Sequence, residues 1–176
     1  MNVQKMMEEN KIGKVLLDVD LDNRMTGDEI YPILADRSDG VAMVIGTELA
    51  RTHIFRSFKG YLTFGDCLSK NKMTFNIVER LFPGKFELAK GSMRIFCKKT
   101  QCLYGFNWNP PLEYHVWIQK KENHAYIIDM ALPGVILRGS ESGDDKGFFI
   151  EGMKPFAYIG HTGDDYGLWY HTMEVE

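Results

Sequence analysis

The stretch Tyr114 to Gly134, YHVWIQKKENHAYIIDMALPG, constrains the chain more than any other, because two runs of period two flank a short polar turn. Tyr114, Val116 and Ile118 alternate with His115, Trp117 and Gln119, and Tyr126 and Ile128 alternate with Ala125, Ile127 and Asp129. With Lys121, Glu122 and Asn123 between them, the runs read as a β-hairpin. A turn centred on Glu122 sets Ile118 opposite Tyr126, Trp117 opposite Ile127 and His115 directly opposite Asp129. Directly opposed residues have Cβ atoms about 4.5 to 5.5 Å apart, which lets a carboxylate bond an imidazole. A slip of one residue would send the two to opposite faces.

A His and an Asp facing each other across strands also describe a partly solvated polar pair, so a third residue decides the reading. In GDCLSKNKMTFNIVERLF, Met73, Ile77 and Leu81 recur every four residues, with Phe75, Val78 and Phe82 in a second row. This spacing predicts a helix that begins at Asp66 or Cys67 and ends at Pro83-Gly84. Cys67 then lies in the first turn, where unsatisfied amides, the helix dipole and a neighbouring imidazolium favour a thiolate; Asp66 opposes it. Cys67 as nucleophile, His115 as general acid/base and Asp129 as the residue that orients the ring form a candidate Cys-His-Asp site.

The order of these pieces resembles a known family. A Cys opening a helix (GDCLSKN), then strands, a His-x-Trp strand (YHVWIQ), and a return strand ending in Asp before small residues and Pro-Gly (IIDMALPG) look like the catalytic core of the transglutaminase-like branch of papain-fold cysteine hydrolases. The resemblance covers roughly Gly60 to Gly139, and its specific parts are the ordering and the hairpin. It implies an α+β fold with a papain/transglutaminase-like core, a central helix packed on an antiparallel sheet, and the roles just given to Cys67, His115 and Asp129. The papain-type glutamine has no counterpart near Cys67, and Leu68 stands where a small or aromatic residue is usual. An oxyanion would then be held by main-chain amides or by a side chain that the resemblance does not name.

A chain of 176 residues, 44% hydrophobic, is long enough for one domain, read here as an N-terminal segment (1–59) and a catalytic-like core (60–176). Its formal charge of -3 and interspersed acidic and basic residues argue against nucleic acid as a partner. No run approaches the roughly 18 apolar residues of a spanning helix, and MNVQKMMEEN has no signal-peptide pattern. The expectation is a cytoplasmic protein with no membrane partner and with Cys67, Cys97 and Cys102 as reduced thiols. Cys97 and Cys102 face each other if Lys98 to Gln101 form a hairpin loop; a zinc site would need two further ligands.

Elsewhere the patterns are weaker. Met1 to Ile12 reads as a short polar helix, and Leu17, Val19 and Leu21, alternating with Asp18, Asp20 and Asp22, as a half-exposed strand. Asp18, Asp20, Asp22 and Glu29 fall at calcium-loop spacing, but Asn23 replaces the central glycine and Pro32 interrupts the exit helix, so no metal is expected. Glu29 to Asp36 reads as a short helix or turn. VAMVI fits a buried strand or the start of a helix, and a helix capped by Thr47 fits TELARTHIFRSF, with His53 a helix-surface or satisfied core histidine. FELAKG, SMRIFCKK and QCLYGFNW read as three strands, GVILRG as another, Ser140 to Gly147 as a polar loop, and GFFIEGMKPFAYIG and GLWYHTMEVE as two final strands.

Beside the His115 strand, Trp108, Asn109 and Trp117 are the candidates to touch substrate; His161 and His171 are alternative acid/base residues. The expected function is cysteine-dependent acyl transfer on a peptide, a protein or a small amide, without a cofactor. The alternative is a non-catalytic binding or inhibitor protein on the same scaffold, for which eleven Phe, eight Tyr and three Trp supply contact surface.

Overall fold

The computed structural model describes residues 12–14, 33–51, 67–98, 101–141 and 156–176. The segment read as a polar helix lies outside the described residues except for Ile12, which is in a strand, and the segment read as a polar loop except for Ser140 and Glu141, which end a helix; the expected acidic strand and calcium-type loop, His53, Asp66 and residues 147–155 of the expected strand GFFIEGMKPFAYIG also lie outside them.

The fold is mixed α+β. Among the described residues eight strands, β1 (Ile12–Lys14), β2 (Ile33–Asp36), β3 (Phe86–Cys97), β4 (Cys102–Phe106), β5 (His115–Lys120), β6 (Asn123–Asp129), β7 (Ala157–His161) and β8 (Leu168–Val175), form one sheet. Its order is β1-β2-β7-β6-β5-β3-β4, with β8 paired to β3, and every pairing is antiparallel except β2 with β7. Among the described residues three helices accompany it: α1 (Gly40–Arg51), α2 (Cys67–Leu81) and α3 (Leu132–Glu141). No helix among the described residues is long and apolar enough to cross a membrane.

Both faces of the sheet are covered, so the central strand β5 is buried from His115 to Gln119 on either side. On one face Val116, Ile118, Tyr126 and Ile128 pack with Ala42, Ile45 and Leu49 of α1 and Ile77 and Val78 of α2. On the other, Trp117, Ile127, Tyr158 and Met93 pack with Leu132, Val135 and Ile136 of α3. Period two sends neighbouring β5 residues to different layers: Val116 goes to the α2 side, Trp117 and His115 to the other.

Several local expectations change. VAMVI takes the second of its two readings, the start of a helix, because Asp39 caps α1, its Oδ1 accepting the amides of Val41 (3.0 Å) and Ala42 (3.2 Å). Ala42, Ile45 and Leu49 then lie on one buried side, so α1 starts well before Thr47. Ile33 to Asp36 is strand β2, its first three residues buried. The segment from Leu132 is helix α3, not a turn and strand: Pro133 is tolerated in a first turn, and Leu132, Val135 and Ile136 share a side. FELAKG and SMRIFC are one strand running through Gly91. A Cβ there would lie 2.0 Å from the His171 carbonyl oxygen and 3.0 Å from the Trp117 ring, so glycine marks a close approach of β8.

Candidate active site

The hairpin is present, but its register differs from the expected one. The turn is Lys121–Glu122, closed by Lys120 opposite Asn123, and the next pair is Gln119 with Ile127. Between these pairs β5 advances one residue and β6 four. The ladder ends at Ile118 with Ile128, where Tyr126 was expected to face Ile118. This displacement of two residues keeps His115 and Asp129 on one face but makes them diagonal neighbours. The far ring nitrogen spans the diagonal: His115 Nε2 lies 2.6 Å from Asp129 Oδ2.

Asp129 is 0% exposed, and both of its oxygens are fully used. Oδ2 accepts from His115 and from the Tyr170 hydroxyl at 2.7 Å. Oδ1 accepts from the Ala131 amide at 2.9 Å and from Asn71 Nδ2 at 3.1 Å. Burial by itself would raise the carboxyl's pKa, but the His115 charge and the His115, Tyr170 and Asn71 hydrogen bonds outweigh it and hold the pKa below the usual carboxylate value. The same balance acts on the ring. Burial disfavours the charged imidazole, whereas the charge and hydrogen bond of Asp129, assisted by Cys67, push the pKa of His115 up to about 10. An imidazolium at neutral pH follows.

Cys67 is the first residue of α2 and is half-buried. Its thiol is near enough to His115 to help hold the ring's charge. Nε2 is taken by Asp129, and the other nitrogen, Nδ1, is buried with no hydrogen-bond partner of good geometry. Nδ1 is therefore the nitrogen left for the sulfur. The ring is gripped on its faces: Phe106 stacks on it at 5.5 Å between centroids and 8° between planes, and Trp117 and Tyr170 lie at 6.3 and 6.2 Å.

The structure thus brings Cys67, His115 and Asp129 together. It sends the expected substrate residues to different places. Trp117 is 0% exposed beneath Tyr170, 4.9 Å away edge to face, so it supports the imidazole from inside the core and is not a surface contact. Trp108 is half-buried against Tyr114, and Asn109 is exposed and bridges to Glu113, in the loop that leads into β5. Arg94 fixes that loop through the carbonyls of Met93 and Phe106 and the side chain of Asn107. His161 and His171 are both exposed, on β7 and β8. Cys97 and Cys102 are directly opposed in the β3–β4 register, and all three cysteines are thiols.

Two residues of the site escape a sequence reading. Asn71 and Tyr170 are reached through long-range contacts, and only Asn71 left a trace, being four residues after Cys67 and hence on its side of the helix. The buried stripe of α2 is Lys70, Asn71, Thr74, Ile77 and Val78, while Met73, expected to be core, is 43% exposed. A polar stripe at the helix start is invisible to hydrophobic periodicity. Compared with protein-family models, curated proteins and solved structures, the chain matches none.

Proposed function

We propose that this chain is a cysteine-dependent acyl-transfer enzyme with a transglutaminase-like, papain-fold core, in which Cys67 is the nucleophile. The observation that carries the reading is the division of labour on His115: Nε2 is bound to a buried carboxylate, Nδ1 has no hydrogen-bond partner of good geometry, and the thiol of Cys67, at a helix start, is near enough to help hold the ring's charge. An imidazolium beside that cysteine favours the thiolate, the form that attacks.

The thiolate adds to the carbonyl carbon of an amide, and the resulting oxyanion is held by main-chain amides of the first turn of α2. Collapse breaks the carbon–nitrogen bond as Nδ1–H delivers its proton to the departing amine, leaving a thioester on Cys67. Water or a second amine then gives a proton to Nδ1 and attacks the thioester, releasing a carboxylic acid or a new amide and restoring the thiolate–imidazolium pair. Asp129 stays ionised throughout and fixes the ring orientation. Peptide, glutamine side-chain and small amide substrates share this chemistry.

Incubation of the native chain with p-nitrophenyl acetate tests the reading. We expect an acetyl adduct on Cys67 in the intact protein mass, absent from Cys67→Ser and strongly reduced in His115→Ala. Acetylation of Cys102 with Cys67 unmodified would contradict it. A second reading rests on the burial of the ring: with His115 0% exposed and enclosed by aromatics, the pair also suits a non-catalytic binding protein stabilised by an internal ion pair. That reading predicts three ordinary thiols.

A further inference from the structure

Asn71 is fully buried, and both ends of its amide are used. Nδ2 donates to the Val116 carbonyl at 2.7 Å and to Asp129 Oδ1 at 3.1 Å, and Oδ1 accepts the Met130 amide at 3.0 Å. Val116 follows His115 on β5, Met130 follows Asp129, and Cys67 is one helical turn before Asn71 on the same side of α2. One side chain therefore ties the helix of the nucleophile to both strands of the imidazole–carboxylate pair, beyond the point where the β5–β6 ladder ends at Ile118 and Ile128.

We propose that Asn71 is a positioning residue that couples the nucleophile helix to the imidazole–carboxylate pair, setting the distance between Cys67 and His115. This rests on the acyl-transfer reading of the site. The strands are no longer paired to each other where the site is built, so α2 fills the gap and the amide replaces the missing ladder bonds. An amide suits the position because it offers a donor toward the carbonyl and carboxylate and an acceptor toward the Met130 N–H at once. A carboxylate could not donate to either, and an aliphatic side chain would take their Asn71 partner from the Val116 carbonyl and the Met130 amide and leave Asp129 Oδ1 with the Ala131 amide alone. The network also accounts for a polar residue in the buried stripe of α2, where an apolar one would otherwise be expected.

The test uses the full chain and compares wild type, Asn71→Ala and Asn71→Asp. Three quantities are read: the iodoacetamide rate of each cysteine near pH 6, the pH titration of the His115 ring by NMR, and the melting temperature. Asn71→Ala should slow Cys67 by about tenfold or more toward the rate of an ordinary thiol, with Cys102 unchanged. Asn71→Asp keeps the shape and the acceptor for Met130. It sets a second carboxyl against Asp129, and two such groups in contact share a proton, so the His115 titration should acquire an additional step. A merely structural residue would lower the melting temperature and leave both the Cys67 rate and the His115 titration as in wild type; that result overturns the proposal while leaving the enzyme reading intact. A wild-type Cys67 no faster than Cys102 would instead remove the enzyme reading, and this inference with it.

Discussion

Two regions of this molecule gather histidine, aspartate and tyrosine, and they behave differently. Around Asp129 the groups are buried, and every oxygen of the carboxylate is spoken for by His115, Tyr170, Asn71 and the Ala131 amide. Where β2 and β7 end side by side, Asp36, Ser38, Asp39, Tyr158, Gly160, His161 and Tyr166 line an open cleft of about 200 Å³. There the carboxylates serve local structure: Asp36 binds the Ser38 amide and hydroxyl at 2.8 and 2.7 Å, and Asp39 caps α1 and accepts the Tyr126 hydroxyl at 2.6 Å. His161 is exposed and packs edge to face on Tyr126. The Asp36 carboxyl is held below its ordinary pKa mainly by the Ser38 hydrogen bonds, with His161 a minor contributor. The same residue types thus make a turn and a helix cap in one place and a coupled acid–base pair in the other. Exclusion of water and convergence on one imidazole make the difference.

The largest effect that would break this comparison is expected from Asp129→Ala. It strands the His115 ring in the core, and losing one partner of a buried pair costs about 3 to 5 kcal/mol. Asp36→Ala removes bonds within an exposed turn and should stay within about 1 kcal/mol. Urea unfolding of the two variants measures both; equal losses would erase the distinction between the regions.

Stability against pH sharpens it. His115 keeps its proton to about 10 in the folded protein but only to 6.5 in the unfolded chain. Its contribution is therefore fully present below 6.5, declines between 6.5 and 10, and is gone above. The slope from this one group is at most about 1.4 kcal/mol per pH unit. Asp129 and Asp36 are both lowered, so their contributions are present above the ordinary carboxylate value of 3.8 and are lost as pH falls through their folded values. A urea midpoint that falls between pH 6.5 and 10 in wild type, and less steeply in His115→Gln, is the expected result.

Tyr170→Phe removes one of the four donors to Asp129 and should cost about 1.5 to 3 kcal/mol, the range for hydrogen bonds to a buried charge. Tyr126→Phe loses a bond to Asp39, whose other oxygen still caps α1, and should cost about 1 kcal/mol. The smallest effect belongs to Leu112→Ser in the loop before β5. Leu112 is 79% exposed, and its replacement should leave the melting temperature unchanged, while a lower acetylation rate of Cys67 would assign the loop to substrate binding.

The parts of this site legible in the sequence are those written in local patterns. Alternation disclosed β5 and β6 and the shared face of His115 and Asp129; four-residue spacing and Pro83-Gly84 disclosed α2, which opens at Cys67 and closes with Gly84 at φ +71°. The register was not legible, because it depends on the extra residues that β6 takes up between Asn123 and Ile127 while pairing on its other edge with β7. Tyr170 was hidden because β8 reaches Asp129 only after pairing with β3. In α1 and α3 apolar runs too short to show a period were decided by the Asp39 cap and by packing on the sheet.

If the ring held by Asp129 acts on Cys67, iodoacetamide labelling near pH 6 shows it. In native wild type, Cys67 should react about tenfold or more faster than Cys97 and Cys102, because the imidazolium lies beside its sulfur. His115→Ala should bring Cys67 down to the rate of Cys102. A wild-type Cys67 no faster than Cys102, and unmoved by His115→Ala, would show that the ring does not act on the sulfur.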